Sequence, residues 1–300
     1  MPMQSEINPA NITSSKHSKI NLSPLPKCFT DIGRRTLVMG ILNVTPDSFS
    51  DGGKFINIEN ALEQAQIMAK YGVDIIDIGG ESTRPGAEPV SLEIELDRVI
   101  PVIENIKKSV NICISIDTYK AIVAEKAINA GASIVNDISS LSDPDMSKII
   151  ADSGVPIILM HKKGTPKDMQ INPNYNSVVD EIKHFFEDKI KLATDSGIQS
   201  DRIIIDPGIG FGKTVEHNLE IIRRLKEFKD LRKPILIGTS RKSFIGKVLH
   251  LDSPSDRIEG TSATVALSIA NGADIIRVHD IKEMMRVARM ADAIVREAKC

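Results

Sequence analysis

Eight short apolar runs punctuate the chain from Thr36 onward: Leu37–Leu42, Val73–Ile78, Ile112–Asp117, Ser133–Ile138, Pro156–Met160, Arg202–Asp206, Pro234–Gly238 and Asp274–Val278. They are rich in Ile and Val and lack regular polar alternation, the pattern of parallel strands covered on both faces. Between them apolar residues recur at helical spacing, as in Ile58, Ala61, Leu62, Ala65 and Met68, and again in Leu92, Leu96, Val99, Ile103 and Ile106. Such stripes predict amphipathic crossover helices. Gly72, Gly131, Gly154 and Gly272 each stand just before a run, where a left-handed residue closes the preceding helix. Strand and helix alternation of this kind predicts an α/β protein with a single (β/α)8 TIM barrel over 31–300. An open doubly wound sheet is the minor alternative, because sequence does not display closure.

Composition narrows the reading. The 300 residues are 41% hydrophobic, ample for a barrel that typically takes about 250 residues. With a formal net charge of -2, no global positive field draws in nucleic acid or an anionic membrane, so any anionic substrate must be held by local groups. Cys28, Cys113 and Cys300 are odd in number and widely spaced, which argues against a disulfide frame or a cysteine-built metal site and for a reduced compartment; all three read as structural or incidental. No apolar run approaches the roughly 18 residues of a membrane span. Residues 1–30 are polar, rich in Asn and Ser, and lack the apolar stretch of a secretory signal. They are expected to form a poorly ordered extension, and the chain to be cytoplasmic.

Functional residues of such barrels gather at the C-terminal ends of the strands. Taken in order, those ends carry Asn43, Glu81 to Arg84, Asp117, Asn136 with Asp137, Met160 with His161, Asp206, Ser240 to Lys242, and Arg277 with His279. Bringing so many polar groups into one mouth costs several kcal/mol unless they meet each other or a complementary ligand. A polar, multidentate ligand is implied. Each aspartate taken alone reads equally well as a helix N-cap.

The residues then resemble a family. Asn43-Val44-Thr45-Pro46-Asp47-Ser48-Phe49-Ser50-Asp51-Gly52-Gly53, followed by Asp77-Ile78-Gly79-Gly80-Glu81-Ser82-Thr83-Arg84-Pro85-Gly86, is similar to the two signature segments of dihydropteroate synthases. Ile116-Asp117-Thr118, Asn136-Asp137-Ile138, Met160-His161, Asp206-Pro207-Gly208-Ile209-Gly210-Phe211-Gly212-Lys213, Ser240-Arg241-Lys242-Ser243 and Arg277-Val278-His279-Asp280 follow in the family's order. The resemblance spans roughly residues 35 to 295. It implies a folate-pathway transferase, the target of sulfonamides, that condenses 6-hydroxymethyl-7,8-dihydropterin pyrophosphate with p-aminobenzoate to give 7,8-dihydropteroate.

That resemblance assigns roles. The 2-amino group and adjacent ring N–H of a pterin are parallel donors that suit a carboxylate; Asp206 is the choice, with Asp117, Asn136, Met160 and Lys242 completing the pterin site. Phe49, Thr83, Arg84, Pro85, Phe211 and Ser243 are expected at p-aminobenzoate. Arg277 and His279 are two residues apart on one strand and so share a face, which makes them a pyrophosphate clamp with Asn43 and Arg84; a salt bridge to Asp280 is the plain alternative. Asn43 is expected to contact Mg²⁺, which takes oxygen ligands and keeps several waters. Asp51, Lys242, Arg277 and His279 are the expected catalytic groups, while Lys213 reads as merely solvated. The loops after the first two strands, about 44–55 and 81–89, have the composition of segments that close over substrate. A homodimer through outer helices is also implied. Methyl transfer from a methyl-folate to a corrinoid protein, and a non-catalytic pterin-binding homologue, are the alternatives; the complete loops and Ser240-Arg241-Lys242 favour the synthase.

Overall fold

A computed structural model describes residues 24–45, 54–82, 87–165, 169 and 171–296, with the side chains of 54–57 excepted. Its strands are β1 (Leu37–Asn43), β2 (Ile75–Gly79), β3 (Cys113–Asp117), β4 (Ile134–Asp137), β5 (Ile157–Met160), β6 (Ile203–Asp206), β7 (Leu236–Ile237) and β8 (Ile275–Val278). All pair in parallel in the order β6-β5-β4-β3-β2-β1-β8-β7. The ring closes through a parallel bridge between Ile205 and Ile235, with Ile205 N–H donating to the Pro234 carbonyl at 3.0 Å. The barrel expected from the alternation is therefore the fold, and the open sheet is not.

The helices are α1 (Lys54–Tyr71), α2 (Leu92–Ser109), α3 (Ala121–Ala130), α4 (Met146–Ser153), α5 (Val178–Asp195), α6 (Val215–Arg223), α7 (Ser243–Leu249), α8 (Ile258–Ala270) and α9 (Ile281–Val295). The four glycines expected to close helices have φ between +68° and +122°, a region costly for a side chain. No helix of the described residues is long and apolar enough to cross a membrane.

The seventh run makes the shortest strand for a local reason. Pro234 has no N–H to give to a ladder, and Ile235 N–H donates instead to the Asp274 carboxylate at 2.8 Å. Only Leu236 and Ile237 remain in register, against Ile275 and Ile276.

Alternation along the strands divides the apolar residues in two. Val38, Leu42, Ile76, Ile78, Ile114, Ile116, Val135, Leu159, Ile205 and Ile276 face outward and pack with the helices. Leu37, Met39, Ile75, Ile134, Ile158, Ile204, Leu236 and Ile275 face inward and fill the lower bore. A 3₁₀ turn at Lys27–Asp31 closes this end, with Phe29 packed on the inward layer. The domain boundary expected at residue 31 thus falls at the end of a turn that belongs to the barrel floor; the rest of the extension, 1–23, lies outside the described residues. The turn also carries Cys28 to Cys113 at the start of β3, their Sγ atoms 2.6 Å apart. Two cysteines 85 positions apart in sequence are neighbours at the floor.

Candidate active site

The opposite end of the bore is polar, because the inward positions change character along each strand. Above Ile75 comes Asp77, above Cys113 come Ser115 and Asp117, above Ile134 comes Asn136, above Ile204 comes Asp206, and above Ile275 come Arg277 and then His279. Arg277 reaches across the bore and donates from Nε to Asp77 Oδ2 and from Nη2 to Asp117 Oδ2, each at 2.6 Å. Asn136 Nδ2 donates to the same Asp77 oxygen at 3.1 Å. One guanidinium thus links two carboxylates in a setting where Asp77 is fully buried and Asp117 is 8% exposed. The second oxygens of both carboxylates, and Ser115 Oγ, are buried without a hydrogen-bond partner. Buried acceptors of this kind carry a desolvation cost of about 1–3 kcal/mol each until a donor arrives.

Asp206 faces this group from β6. Its Oδ1 accepts from Gly208 N–H at 2.8 Å, so it does serve a local turn. Burial lifts the Asp206 carboxyl above the ordinary carboxylate range, against the pull of the Gly208 N–H and of Lys242. Burial also lifts Asp117, opposed by Arg277 and reinforced by Asp77, to about 7. Lys242 is pushed down to about 8 by desolvation, with Asp206 acting to keep it charged.

Local structure aims each of these groups. Arg241 adopts φ +59° and is held there from three sides: its N–H donates to Thr261 Oγ1 at 3.2 Å, its carbonyl accepts from Arg257 Nη1 at 3.0 Å, and its guanidinium pairs with Asp280. The next residue, Lys242, then lies with Nζ 4.1 Å from the centre of the Phe211 ring, a cation–π contact. Its stem crosses Gly210, where a Cβ would meet Lys242 Cδ at 3.2 Å. Gly208 is constrained more tightly still: at φ +70° a Cβ would stand 1.9 Å from the His161 carbonyl oxygen. The turn between β6 and α6 therefore fits under the β5 end only with glycine at 208 and 212, where a Cβ would meet the His161 and Lys163 carbonyl oxygens.

Of the expected site residues, Asp117, Asn136, Met160, Asp206, Phe211, Lys242 and Arg277 are brought together at the mouth. Met160 is buried at the end of β5, its Cγ 3.3 Å from the place of a Gly208 Cβ. Asn43 ends β1, and its Oδ1 and Asp117 Oδ2 both border Gly79, 3.5 Å and 3.7 Å from where a Gly79 Cβ would stand. His279 stands at the rim, its Nδ1 3.0 Å from Ser240 Oγ, and Ser243 is exposed at the first turn of α7. Asp280 pairs with Arg241. Phe49, Asp51, Thr83, Arg84 and Pro85 lie outside the described residues.

One expectation is overturned. Lys213 is not solvated but 3% exposed, with Nζ 3.0 Å from His161 Nδ1 and donating to the Phe211 carbonyl at 3.0 Å. Burial lowers it to about 7, and burial together with Lys213 lowers His161 to about 2, so the imidazole is neutral and its Nδ1 accepts. Two further features went unnoticed in sequence. Asp77 received no role, though its position two residues after Ile75 puts it in the bore. Lys120 links Glu81 and Glu95, with both contacts at 2.5 Å, while Tyr119 Oη donates to Glu81 at 3.1 Å; this cluster anchors the base of the β2–α2 loop.

Paired buried carboxylates, one guanidinium and one ammonium around a closed bore define a barrel enzyme built to grip a polar heterocycle. The family model described as pterin binding enzyme matches residues 39–279. Curated relatives include the dihydropteroate synthase of Bacillus subtilis, 51% identical over 262 residues, 87% of this chain and 89% of that protein, and that of Synechocystis, 49% identical over 274 residues, 91% and 95%. Among solved structures, dihydropteroate synthase from Clostridium difficile in the presence of pteroic acid superposes with a TM-score of 0.84 at 50% identity, covering 89% of this chain and 99% of that one. The Xanthomonas albilineans dihydropteroate synthase with 4-aminobenzoic acid gives 0.82 at 41% identity, covering 87% and 93%. The chain belongs to the dihydropteroate synthase family, and its activity is that of the transferase the family is named for.

Proposed function

We propose that the mouth holds 6-hydroxymethyl-7,8-dihydropterin pyrophosphate with its pterin ring down the bore and its pyrophosphate at the rim, where p-aminobenzoate meets the methylene carbon. The observation that carries this is the set of unpartnered buried acceptors, Asp77 Oδ1, Asp117 Oδ1 and Ser115 Oγ, facing a bore that also offers Asp206. A pterin edge supplies the parallel N–H donors that such acceptors lack. Asp206 takes the 2-amino group and the adjacent ring N–H, Asn136 and Asp117 take the remaining ring edge, Met160 packs on its face, and Lys242 donates to the carbonyl and N5 side.

Arg277 has Nε and Nη2 committed to carboxylates, so Nη1 is the donor left for the leaving pyrophosphate; His279 at the rim acts with it, and the resemblance to dihydropteroate synthases assigns Arg84 the same role. Asn43 Oδ1, which borders Gly79 as the Asp117 carboxylate does, is a fitting oxygen donor for Mg²⁺. Among the described residues there is no group of three or more His, Cys, Asp or Glu able to hold a metal; Asn43 would hold the ion together with the substrate's phosphate oxygens and water. When bound, Mg²⁺ neutralises charge on the pyrophosphate. The CH₂–O bond breaks, the electron pair leaves with pyrophosphate, and the ring nitrogens share the positive charge left on the methylene. Asp51 stabilises that charge. The p-aminobenzoate nitrogen, framed by Phe49, Thr83, Pro85, Phe211 and Ser243, forms the new C–N bond and then loses a proton. No covalent enzyme intermediate is involved, and the residues act through placement and charge.

The test follows pyrophosphate release from the dihydropterin substrate with Mg²⁺, with and without p-aminobenzoate. Release that requires p-aminobenzoate and matches dihydropteroate formation is expected; equal release without it would remove p-aminobenzoate from the rim. We further infer a cytoplasmic homodimer. Leu267 on α8 with Met290 and Ile294 on α9 are 57%, 63% and 71% exposed, an apolar outer surface away from the mouth, and light scattering at twice the chain mass is the expected result.

A further inference from the structure

The floor of the barrel holds two thiols that the chemistry at the mouth does not use. Cys28 is carried on the 3₁₀ turn that closes the floor, and Cys113 opens β3. Their sulfurs are 2.6 Å apart, closer than two unbonded sulfurs usually sit and near the S–S bond length of about 2.05 Å. Both residues are partly exposed, so a small reagent in solvent has access to them. Both also contact the inward apolar layer under the polar mouth, at the end of the bore away from the substrates.

We propose that Cys28 and Cys113 are a disulfide-forming pair, oxidised by a low-molecular-weight disulfide, that staples the N-terminal turn to the barrel floor. Cys113 is the nucleophile. Its thiolate accepts a hydrogen bond from the Cys28 S–H, which, against the cost of burial and the nearby Asp74 carboxylate and with help from Lys107, holds it down to about 7. The same hydrogen bond, with burial, pushes Cys28 upward and keeps it a thiol. The Cys113 thiolate attacks one sulfur of the small disulfide, forming a mixed disulfide and releasing one thiolate. That thiolate takes the Cys28 proton, and the Cys28 sulfur displaces the second small thiol from Cys113. Two electrons pass from the protein cysteines to the small disulfide, which leaves as one thiol and one thiolate, the latter taking its proton from water.

The cross-link closes a loop of 85 positions, and long closed loops restrict the unfolded chain most. The oxidised protein is therefore expected to melt higher than the reduced one by about 3 °C or more, with p-aminobenzoate-dependent turnover unaltered.

The experiment treats the reduced full-length protein with oxidised glutathione, alkylates the remaining thiols and maps peptides by mass spectrometry. The expected result is a linked pair of peptides carrying Cys28 and Cys113, with Cys300 alkylated. Cys28→Ser should stall as a glutathione adduct on Cys113, whereas Cys113→Ser should react several-fold more slowly at Cys28; neither should gain melting temperature on oxidation. Alkylation of both floor cysteines after oxidation, a bond from either to Cys300, or a stable glutathione adduct on the parent protein would each overturn the proposal. These readouts concern thiols and unfolding, so they stand apart from the assignments at the mouth.

Discussion

The two ends of the bore are built from the same eight strands and obey opposite rules. At the floor, Leu37, Met39, Ile75, Ile134, Ile158, Ile204, Leu236 and Ile275 interlock under Phe29, and every contact there lowers the free energy of the folded chain. At the mouth, residues two or four positions further along those strands are Asp77, Asp117, Asn136, Asp206 and Arg277. Arg277 ties Asp77 and Asp117 together, yet one oxygen of each carboxylate, and the Ser115 hydroxyl beside them, stays buried and unpartnered. The difference separates stability from function along a single axis: the floor folds without a ligand, while the mouth is completed by one.

The strongest way to break this comparison is Arg277→Met. It leaves Asp77 and Asp117 facing each other without their shared cation, a change expected to cost about 3–5 kcal/mol of stability. It also removes the donor proposed for the developing pyrophosphate charge, and is expected to lower kcat/KM by about 10³-fold. Urea unfolding and the pyrophosphate assay read the two effects separately. Adding Asp77→Asn should restore much of the stability and none of the turnover; recovery of both together would mean that Arg277 has only a structural role.

The complementary change is Phe29→Ala. It empties the plug of the floor, with an expected loss of about 3 kcal/mol, while the mouth keeps its groups and turnover stays near the parent value below the melting transition. A large fall in kcat in still-folded protein would show that floor and mouth are coupled, contrary to the division drawn above.

How far this division was legible depended on the range of the interactions. Strand ends were readable because each run stops at a residue whose polarity contrasts with the Ile and Val before it, as at Asp117 and Asp206. Asp77 was readable too, since it is two residues beyond Ile75, but it sits inside a run whose apolar character dominates. Lys213 was not readable. Its burial follows from the turn at Gly208 fitting beneath the His161 carbonyl, an approach between strands that the local sequence does not encode. The contacts of Cys28 with Cys113, and of Lys120 with Glu81 and Glu95, have the same origin: barrel closure brings together residues 25 to 85 positions apart. β7 fell short of its run because Pro234 lacks a donor and Asp274 captures the next N–H, the second being again a long-range event.

A smaller effect sharpens the electrostatic side of the comparison. With Asp117 lifted to about 7 from an ordinary value near 4, the folded chain holds a proton that the unfolded chain has lost between about pH 4 and 7. Stability from this group therefore falls as pH rises through that window, by up to about 1.4 kcal/mol per pH unit, and is level above it. His161, lowered to about 2, acts in the opposite sense, its contribution being lost as pH falls below about 6.5. Asp117→Asn keeps His161 and removes the carboxylate, so the parent-minus-variant difference in unfolding free energy should decline from pH 5 to pH 7 and then flatten. A difference constant with pH would place Asp117 permanently ionised against Arg277.

The smallest change tests where the floor ends. Ser115 stands on β3 between Cys113, which touches the apolar layer, and Asp117, which binds Arg277. Its hydroxyl is fully buried and unpartnered, so in the ligand-free chain Ser115→Ala removes a polar atom that makes no bond and should be neutral or stabilising by up to about 1 kcal/mol. If Ser115 belongs to the mouth, the same variant deprives the pterin ring of a partner and raises KM for the pterin substrate several-fold while kcat changes little. If it belongs to the floor, stability rises and KM is unmoved. Thermal melts with and without the pterin substrate decide between them, because a hydroxyl that pairs only with ligand gives the variant its gain in the empty barrel and loses it in the filled one.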